Sequence, residues 1–219
     1  MTPQIDFDAE KHIYSVDGKV MPGVTEILGY IKGDTFRTIN PSILAYAAER
    51  GKCVHEALEM IDYGEDPEVP PEAMPYVDAY TDFIFDHAVE WYGIEQMVYN
   101  PGRGYCGTVD RYGIVDGEMA VVDIKTIAQP SCEDYMSLAA QTAAYDEALA
   151  ITNARMGWGF KKHYGLFLRK DGTYRLADTA DYEQKFKATG MMIFCQCLNT
   201  YKFLEEIKSN GKRKRNSSK

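Results

Sequence analysis

The dipeptide Asp116-Gly117 stands between two apolar stretches, with Tyr112 and Ile114 before it and Met119, Val121 and Val122 after it. Both residues of an Asp-Gly pair accept the positive φ that a two-residue turn needs, so the expected product is a β-hairpin. Once it folds, Asp110 and Asp123, 13 residues apart in the chain, fall on neighbouring strands. Opposed side chains there sit about 5 Å apart. Residues i and i+2 of a strand share a face. Asp123 and Lys125 therefore point one way, and Ile124 between them points into the core.

Two close carboxylates repel each other unless a cation neutralises them. A few carboxylate oxygens, completed by phosphate and water, suit Mg²⁺ or Mn²⁺. A protonated lysine beside them is no ligand, but it can orient a water, exchange a proton with it, or stabilise a negative transition state. Together these groups describe metal-assisted phosphodiester hydrolysis. The plainer reading makes Asp110 a strand-end residue and Asp123 with Lys125 a solvated edge pair, and a lone D-x-K run does not separate the two.

Four short motifs occur in order: Gly51-x-x-x-His55 (preceded by Arg50), Gly107-x-x-Asp110, Asp123-x-Lys125 and Gln141-x-x-x-Tyr145. In that order and spacing they resemble the RecB-type and phage-type exonuclease branch of the PD-(D/E)XK nuclease superfamily. The motifs span 51–145, and the flanking elements fit from about residue 5 to 207. One departure is Val109, where many members have proline before the acid.

The resemblance implies an α/β fold with a restriction-endonuclease-like mixed central β-sheet flanked by α-helices. It implies a Mg²⁺- or Mn²⁺-dependent deoxyribonuclease, an exonuclease of DNA recombination, repair or phage DNA processing. Asp110, Asp123 and Lys125 would be catalytic, with His55, Asp110, Asp123 and the Ile124 carbonyl on the metal. An imidazole ligand is unusual for Mg²⁺ and better suited to Mn²⁺. Gln141, Tyr145, Thr126 and Arg50 would lie on the substrate side; without the resemblance Tyr145 reads as core and Gln141 as surface. Glu95 falls where some members place an additional acid, the alternative being a surface strand residue. DNA is the implied partner, with a recombinase, single-strand-annealing protein or helicase as further candidates.

The 219 residues, 45 % hydrophobic and 12 % aromatic, suffice for one domain with a core of its own. No apolar run nears the roughly 18 residues of a membrane span, and Met-Thr-Pro-Gln-Ile-Asp has no signal-peptide character. The expected compartment is the cytoplasm, that of a bacterial host if the chain is phage-encoded. Cysteines at 53, 106, 132, 195 and 197 form no C-x-x-C pair, which points to reduced thiols. Some relatives hold an iron–sulfur cluster on one upstream and three C-terminal cysteines. With only Cys195 and Cys197 near the end, no cluster is expected here.

A net charge of −9 looks wrong for a DNA binder, but its distribution is uneven. Residues 208–219 hold Lys208, Lys212, Arg213, Lys214, Arg215 and Lys219 and no acid, so −9 − 6 leaves −15 for the remainder. An acidic body with a basic tail predicts weak, salt-sensitive affinity. The expected organisation is a nuclease domain over 1–207 and a basic, disordered tail over 208–219, either solubilising or DNA-contacting.

Alternation around Asp17-Gly18 predicts a second hairpin over 4–21, followed by a helix from Pro22 to Ile31 in which Glu26 is solvated. Asn40-Pro41 is a helix start, and Leu44, Ala47, Val54, Leu58 and Ile61 carry that helix to near Gly64. Gly51 within it costs about 1 kcal/mol against alanine, acceptable where a backbone or phosphate comes close. Asp66–Pro75 reads as a loop. A helix over 75–92 would bury Val77, Tyr80, Ile84, Ala88 and Trp91, with His87 on its edge as a non-ligand. Ile94–Tyr99 reads as a strand, 133–151 as a helix, and Phe160–Leu168 and Tyr174–Ala177 as strands around Lys170-Asp171-Gly172-Thr173. A last helix over 181–207 completes the chain. Two other functions fit the same residues: a catalytically silent nucleic-acid-binding module of nuclease ancestry, and a protein that acts by contacting a recombinase or helicase.

Overall fold

Strands β1 (Ile5–Asp8), β2 (Ile13–Val16) and β3 (Lys19–Met21) form a small antiparallel sheet, with Asp17 at φ 49° and Gly18 at φ 76° turning the expected hairpin. The computed structural model describes residues 3–8, 11, 13–32, 40–127, 129–152 and 160–216, leaving aside the side chains at 32, 186 and 211–216. The cations expected in the tail at 212–215 and 219, and Phe186 of the last helix, fall outside those described side chains.

The larger sheet is built on the hairpin of β5 (Tyr105–Val115) and β6 (Glu118–Lys125), turned by Asp116 at φ 51° and Gly117 at φ 82°. With β4 (Val89–Asn100), β7 (Lys162–Leu168) and β8 (Tyr174–Asp178) it has the order β4-β5-β6-β7-β8. All neighbours are antiparallel except β6 and β7, which are parallel. Parallel neighbours need a crossover, supplied by helix α4 (Cys132–Thr152).

Helices cover both faces. On one, α1 (Val24–Lys32), α4 and α6 (Gly190–Asn216) enclose Val24, Ile27, Tyr105, Val109, Tyr112, Val121, Ala144, Tyr145 and Phe194. On the other, α2 (Pro41–Asp62) and α3 (Met74–Asp86) enclose Val54, Leu58, Tyr80, Phe83, Val122, Ile124 and Leu166. The chain is thus a mixed α/β fold with a five-stranded mixed sheet flanked by helices. Among the described residues, no helix is long and apolar enough to cross a membrane. Helix α2 starts as its sequence dictates: the Asn40 side chain accepts from Ser42 N, and Pro41 sits in the first turn.

Three boundaries differ from the sequence reading. The helix expected over 75–92 stops at Asp86, and Trp91 lies in β4. The 3.6-residue spacing of Ile84, Ala88 and Trp91 is genuine, but Val89 and Trp91 also alternate. Their pairing with Val115 and Gly113 of β5 wins. The single helix expected over 181–207 is two, α5 (Ala180–Phe186) and α6, separated by Lys187 in the left-handed region at φ 52°. Gly190 then lets α6 begin directly against α4, since a Cβ there would strike the Ala139 carbonyl. Finally, α6 passes 207 and runs to Asn216. Lysine and arginine are good helix formers and sit well at a helix C-terminus, so basic composition does not end the helix.

Candidate metal centre

The β5–β6 ladder pairs Arg111 with Val122, and continuing that register by one sets Asp110 opposite Asp123. There a side chain replaces the ladder: Ile124 N donates to Asp110 Oδ2 at 2.6 Å. On the other side of β5, the pairs Ile94↔Arg111 and Gln96↔Val109 flank Glu95 and Asp110. Glu95 has φ 45°, a left-handed conformation that a non-glycine residue holds only at a cost, and such strain tends to gather at functional sites.

Helix α2 lays His55 over these acids. Its Nδ1 is 3.2 Å from Glu95 Oε1 and 4.0 Å from Asp110 Oδ2. One donor atom from each of His55, Glu95 and Asp110 falls within a 4.8 Å group able to hold a metal ion. Glu95 is therefore placed with the acids of the site, not as an isolated surface residue. Burial opposes charging of His55, but Asp110 and Glu95 outweigh it and hold the imidazole above its ordinary value.

Asp123 is almost fully buried, and its Oδ2 forms an ion pair with Lys125 Nζ at 2.7 Å. Apart from that contact neither carboxylate oxygen has a partner. Burial pushes the carboxyl up to about 6, with Lys125 pulling down and Asp110 adding to the rise. Buried acceptors left open are costly, and a cation would fill them. For Lys125 burial opposes the charge, but Asp123 and then Asp110 overcome it and keep the amine protonated.

From Lys125 a chain of contacts runs into α4. Lys125 Nζ donates to Gln141 Oε1 at 3.4 Å, and Gln141 Nε2 donates to the Tyr145 hydroxyl at 3.1 Å. Both Gln141 and Tyr145 are buried, so Gln141 is not the surface residue that spacing alone suggested. Burial, then Asp123 and Asp110, hold the Tyr145 phenol well above its usual range. Its ring packs on Gly107, where a Cβ would collide with Tyr145 Cε1 and crowd Val24. That contact joins two of the sequence motifs: the glycine before Asp110 makes room for the tyrosine after Gln141.

Arg50 lies 5.0 Å from the Tyr76 ring centroid and 6.0 Å from that of Tyr46, and Nη2 donates to the Thr126 carbonyl at 3.4 Å. Thr126 and Arg50 thus meet at the end of β6. The neighbouring Gly51 is not required by any close approach, since a Cβ there would meet only Thr126 Oγ1 at 3.6 Å. The Ile124 side chain is buried on the α2–α3 face, and its amide is the group hydrogen-bonded at the site. His87 pairs with Asp116 at 2.6 Å, at the turn of the hairpin, and Glu26 accepts from Tyr201.

Sequence reasoning missed Arg111. Its guanidinium is completely buried; Nε donates to Asp62 Oδ2 at 2.6 Å, and Nη1 to Glu95 Oε1 at 3.2 Å and the Asp110 carbonyl at 2.6 Å. Tyr80 donates to both Asp62 oxygens and accepts from Trp91 Nε1. Arg111 thus braces Glu95 from behind. The available signal was an arginine inside an otherwise apolar strand, directly after a candidate ligand.

No family model matches the chain, and no match was found among curated proteins.

Proposed function

We propose that this chain is a metal-dependent deoxyribonuclease of the PD-(D/E)XK kind, an exonuclease in DNA recombination, repair or phage DNA processing. The observation that carries the reading is the open carboxylate of Asp123, set opposite Asp110 beside His55 and Glu95, with Lys125 against it. One imidazole and three carboxylates suit Mn²⁺ and accept Mg²⁺. His55, Glu95 and Asp110, whose donor atoms converge, would hold the ion, with Asp123, expected among the ligands but paired here with Lys125, and the Ile124 carbonyl as further candidates. Bound there, it would supply Lewis-acid polarisation of a phosphate and a water acidic enough to attack it.

The remaining chemistry belongs to the side chains. Lys125 enters as an ammonium, because the two aspartates hold its proton. It stabilises developing negative charge and orients the attacking water, steadied by Gln141, which Tyr145 in turn fixes. Arg50, pinned on two tyrosines at the end of β6, offers a charge to a neighbouring phosphate. Products with 5′-phosphates follow only by analogy with the superfamily. DNA is the proposed substrate, and a recombinase, single-strand-annealing protein or helicase the proposed class of protein partner.

The test is cleavage of end-labelled single- and double-stranded DNA with Mg²⁺, Mn²⁺ or EDTA, with Lys125→Ala alongside. Metal-dependent cleavage that the variant lacks is the expected result, and the fate of the label gives polarity. Wild-type cleavage by Lys125→Ala would sink the assignment. DNA binding without cleavage in either metal would favour the silent binding module.

A further inference from the structure

Beyond the metal centre, on the same end of the sheet, lies a cavity of about 540 Å³ whose walls include Arg169, Arg175, Lys185, Ser131, Tyr135 and Tyr182. Among the described residues, three cations and no carboxylate line it, in a chain whose net charge is −9. Arg169 Nε is buried and has no hydrogen-bond partner, so one donor of a planar fork is left for something else. Arg175 is already fixed: its Cζ lies 5.8 Å from the Tyr135 ring centroid, and Nη2 donates to the Tyr182 hydroxyl at 3.0 Å. Those two rings stack at 3.7 Å with 12° between planes and form a stiff back wall. A guanidinium held this way loses little freedom when it binds an oxyanion. The 21-residue helix α4 begins at Cys132, so its N-terminal end also opens here, but Glu133 and Asp134 in its first turn already answer its dipole, and the arginines carry the positive charge. Asp134 folds back on Ser131 and takes up that residue's amide and hydroxyl.

The strand register ties the cavity to the metal centre. Lys125 pairs with Phe167, and Phe167 pairs with Arg175. A row across three strands therefore leads from the lysine against Asp123 to the cavity, two strand spacings or about 10 Å away. Phe167 packs on Tyr135 of α4, so the row faces the helix that also carries Gln141 and Tyr145.

We propose that this cavity is a second phosphate subsite, taking a phosphate of the same polynucleotide strand whose scissile phosphate lies at the metal centre. The proposal rests on the nucleic-acid reading above, but its test does not depend on cleavage. A 12-nucleotide single-stranded DNA, labelled at its 3′ end, is titrated with the full chain in EDTA at several salt concentrations. Arg175→Ala and Arg169→Gln are each expected to weaken binding about tenfold. Each should also reduce the slope of log K against log salt by about 0.7, the value for one phosphate contact on a single strand. Arg175→Lys should recover part of the affinity. Lys185→Glu, at an exposed helical position, reverses a wall charge without touching the Tyr135–Tyr182 stack and should weaken binding even if the arginine variants fold poorly.

Inorganic phosphate is titrated in parallel. Strand recognition predicts that it competes only at far higher concentration than the oligonucleotide. Tight, Arg175-dependent binding of inorganic phosphate with unchanged oligonucleotide affinity would overturn the strand assignment in favour of a free-phosphate site. Wild-type affinity and salt slope in all the charge-removing variants, or no DNA binding by the wild type, would overturn the subsite. The two readings fail separately: cleavage by a protein whose Arg175 variants bind normally refutes only the subsite. Arg175-dependent binding without cleavage in any metal refutes only the nuclease.

Discussion

The strand pair β5–β6 carries a buried charge cluster toward each of its two helical layers, and the two are built in opposite ways. Toward α2 and α3, Arg111 and Asp62 are almost fully enclosed, and Tyr80 donates to both Asp62 oxygens. Among its side-chain polar atoms only Arg111 Nη2 is buried without a partner. Toward α4, Asp123 is equally enclosed, yet beyond its ion pair with Lys125 its oxygens have no partner, and that lysine is 31 % exposed. Burial of charge is common to both. What separates a structural network from a candidate site is the incompletely partnered acceptor behind a partly exposed lysine. The two are also joined, since Arg111 holds Glu95 and Glu95 meets His55.

Substitutions can widen or erase that contrast. Asp123→Asn is expected to lower single-turnover DNA cleavage by about 10³-fold or more, roughly 4 kcal/mol of barrier, while the protein in EDTA melts no lower than wild type. Cleavage within tenfold of wild type would make the open cluster as structural as the closed one. Arg111→Ala acts on stability instead: leaving Asp62 buried without its cation should cost about 3–5 kcal/mol in denaturant melts. A loss under 1 kcal/mol would show the closed cluster to be dispensable.

A smaller effect, about 1–3 kcal/mol, is expected for Gly107→Ala, because the new methyl meets Tyr145 in a packed interior. Gly51→Ala, with space around it, should be neutral or stabilise by up to about 1 kcal/mol. Equal losses at the two glycines would remove the distinction between them.

The last effect is in pH. The folded carboxyl of Asp123, at about 6 against an ordinary 3.8, binds its proton more tightly than the unfolded chain does. Metal-free stability should therefore fall as pH rises from about 4 to 6, and Asp123→Asn should flatten that fall. His55 works in the other window. Its raised pKa means that its contribution is complete below 6.5 and is lost as pH rises past its folded value. Mn²⁺ competes with that proton, so Mn²⁺ affinity measured by calorimetry should climb over the same range, and His55→Ala should lack the climb.

Local rules made much of this legible. Asp116-Gly117 announced the hairpin, and period-two alternation placed Asp110, Asp123 and Lys125 on one face, because turn chemistry and pleat act over a few residues. His55, Gln141 and Tyr145 came from motif resemblance, and the fold then supplied a reason for Gly107 that spacing could not. What stayed hidden depended on distant partners. Nothing in the sequence near Arg111 shows its partner until Asp62, 49 positions earlier, is brought beneath it. Trp91 reads as helical until β5 offers it a ladder. The cavity at Arg169 and Arg175 is assembled from the loop before α4, the start of α4, the β7–β8 turn, β8 and α5, so no single stretch of sequence displays it.

The hydrogen bond from the Ile124 amide to Asp110 makes the site an all-or-none object. Moving β6 by one residue against β5 would turn every one of its side chains to the opposite face. Ile124 would then occupy the position of an acid, Asp123 and Lys125 would enter the apolar layer under α2 and α3, and Asp110 would lose its anchor. No slipped arrangement keeps half of the cluster. Under the proposed function, a misassembled molecule would be inert rather than a weak or indiscriminate cutter, and correct strand pairing itself would serve as the safety catch.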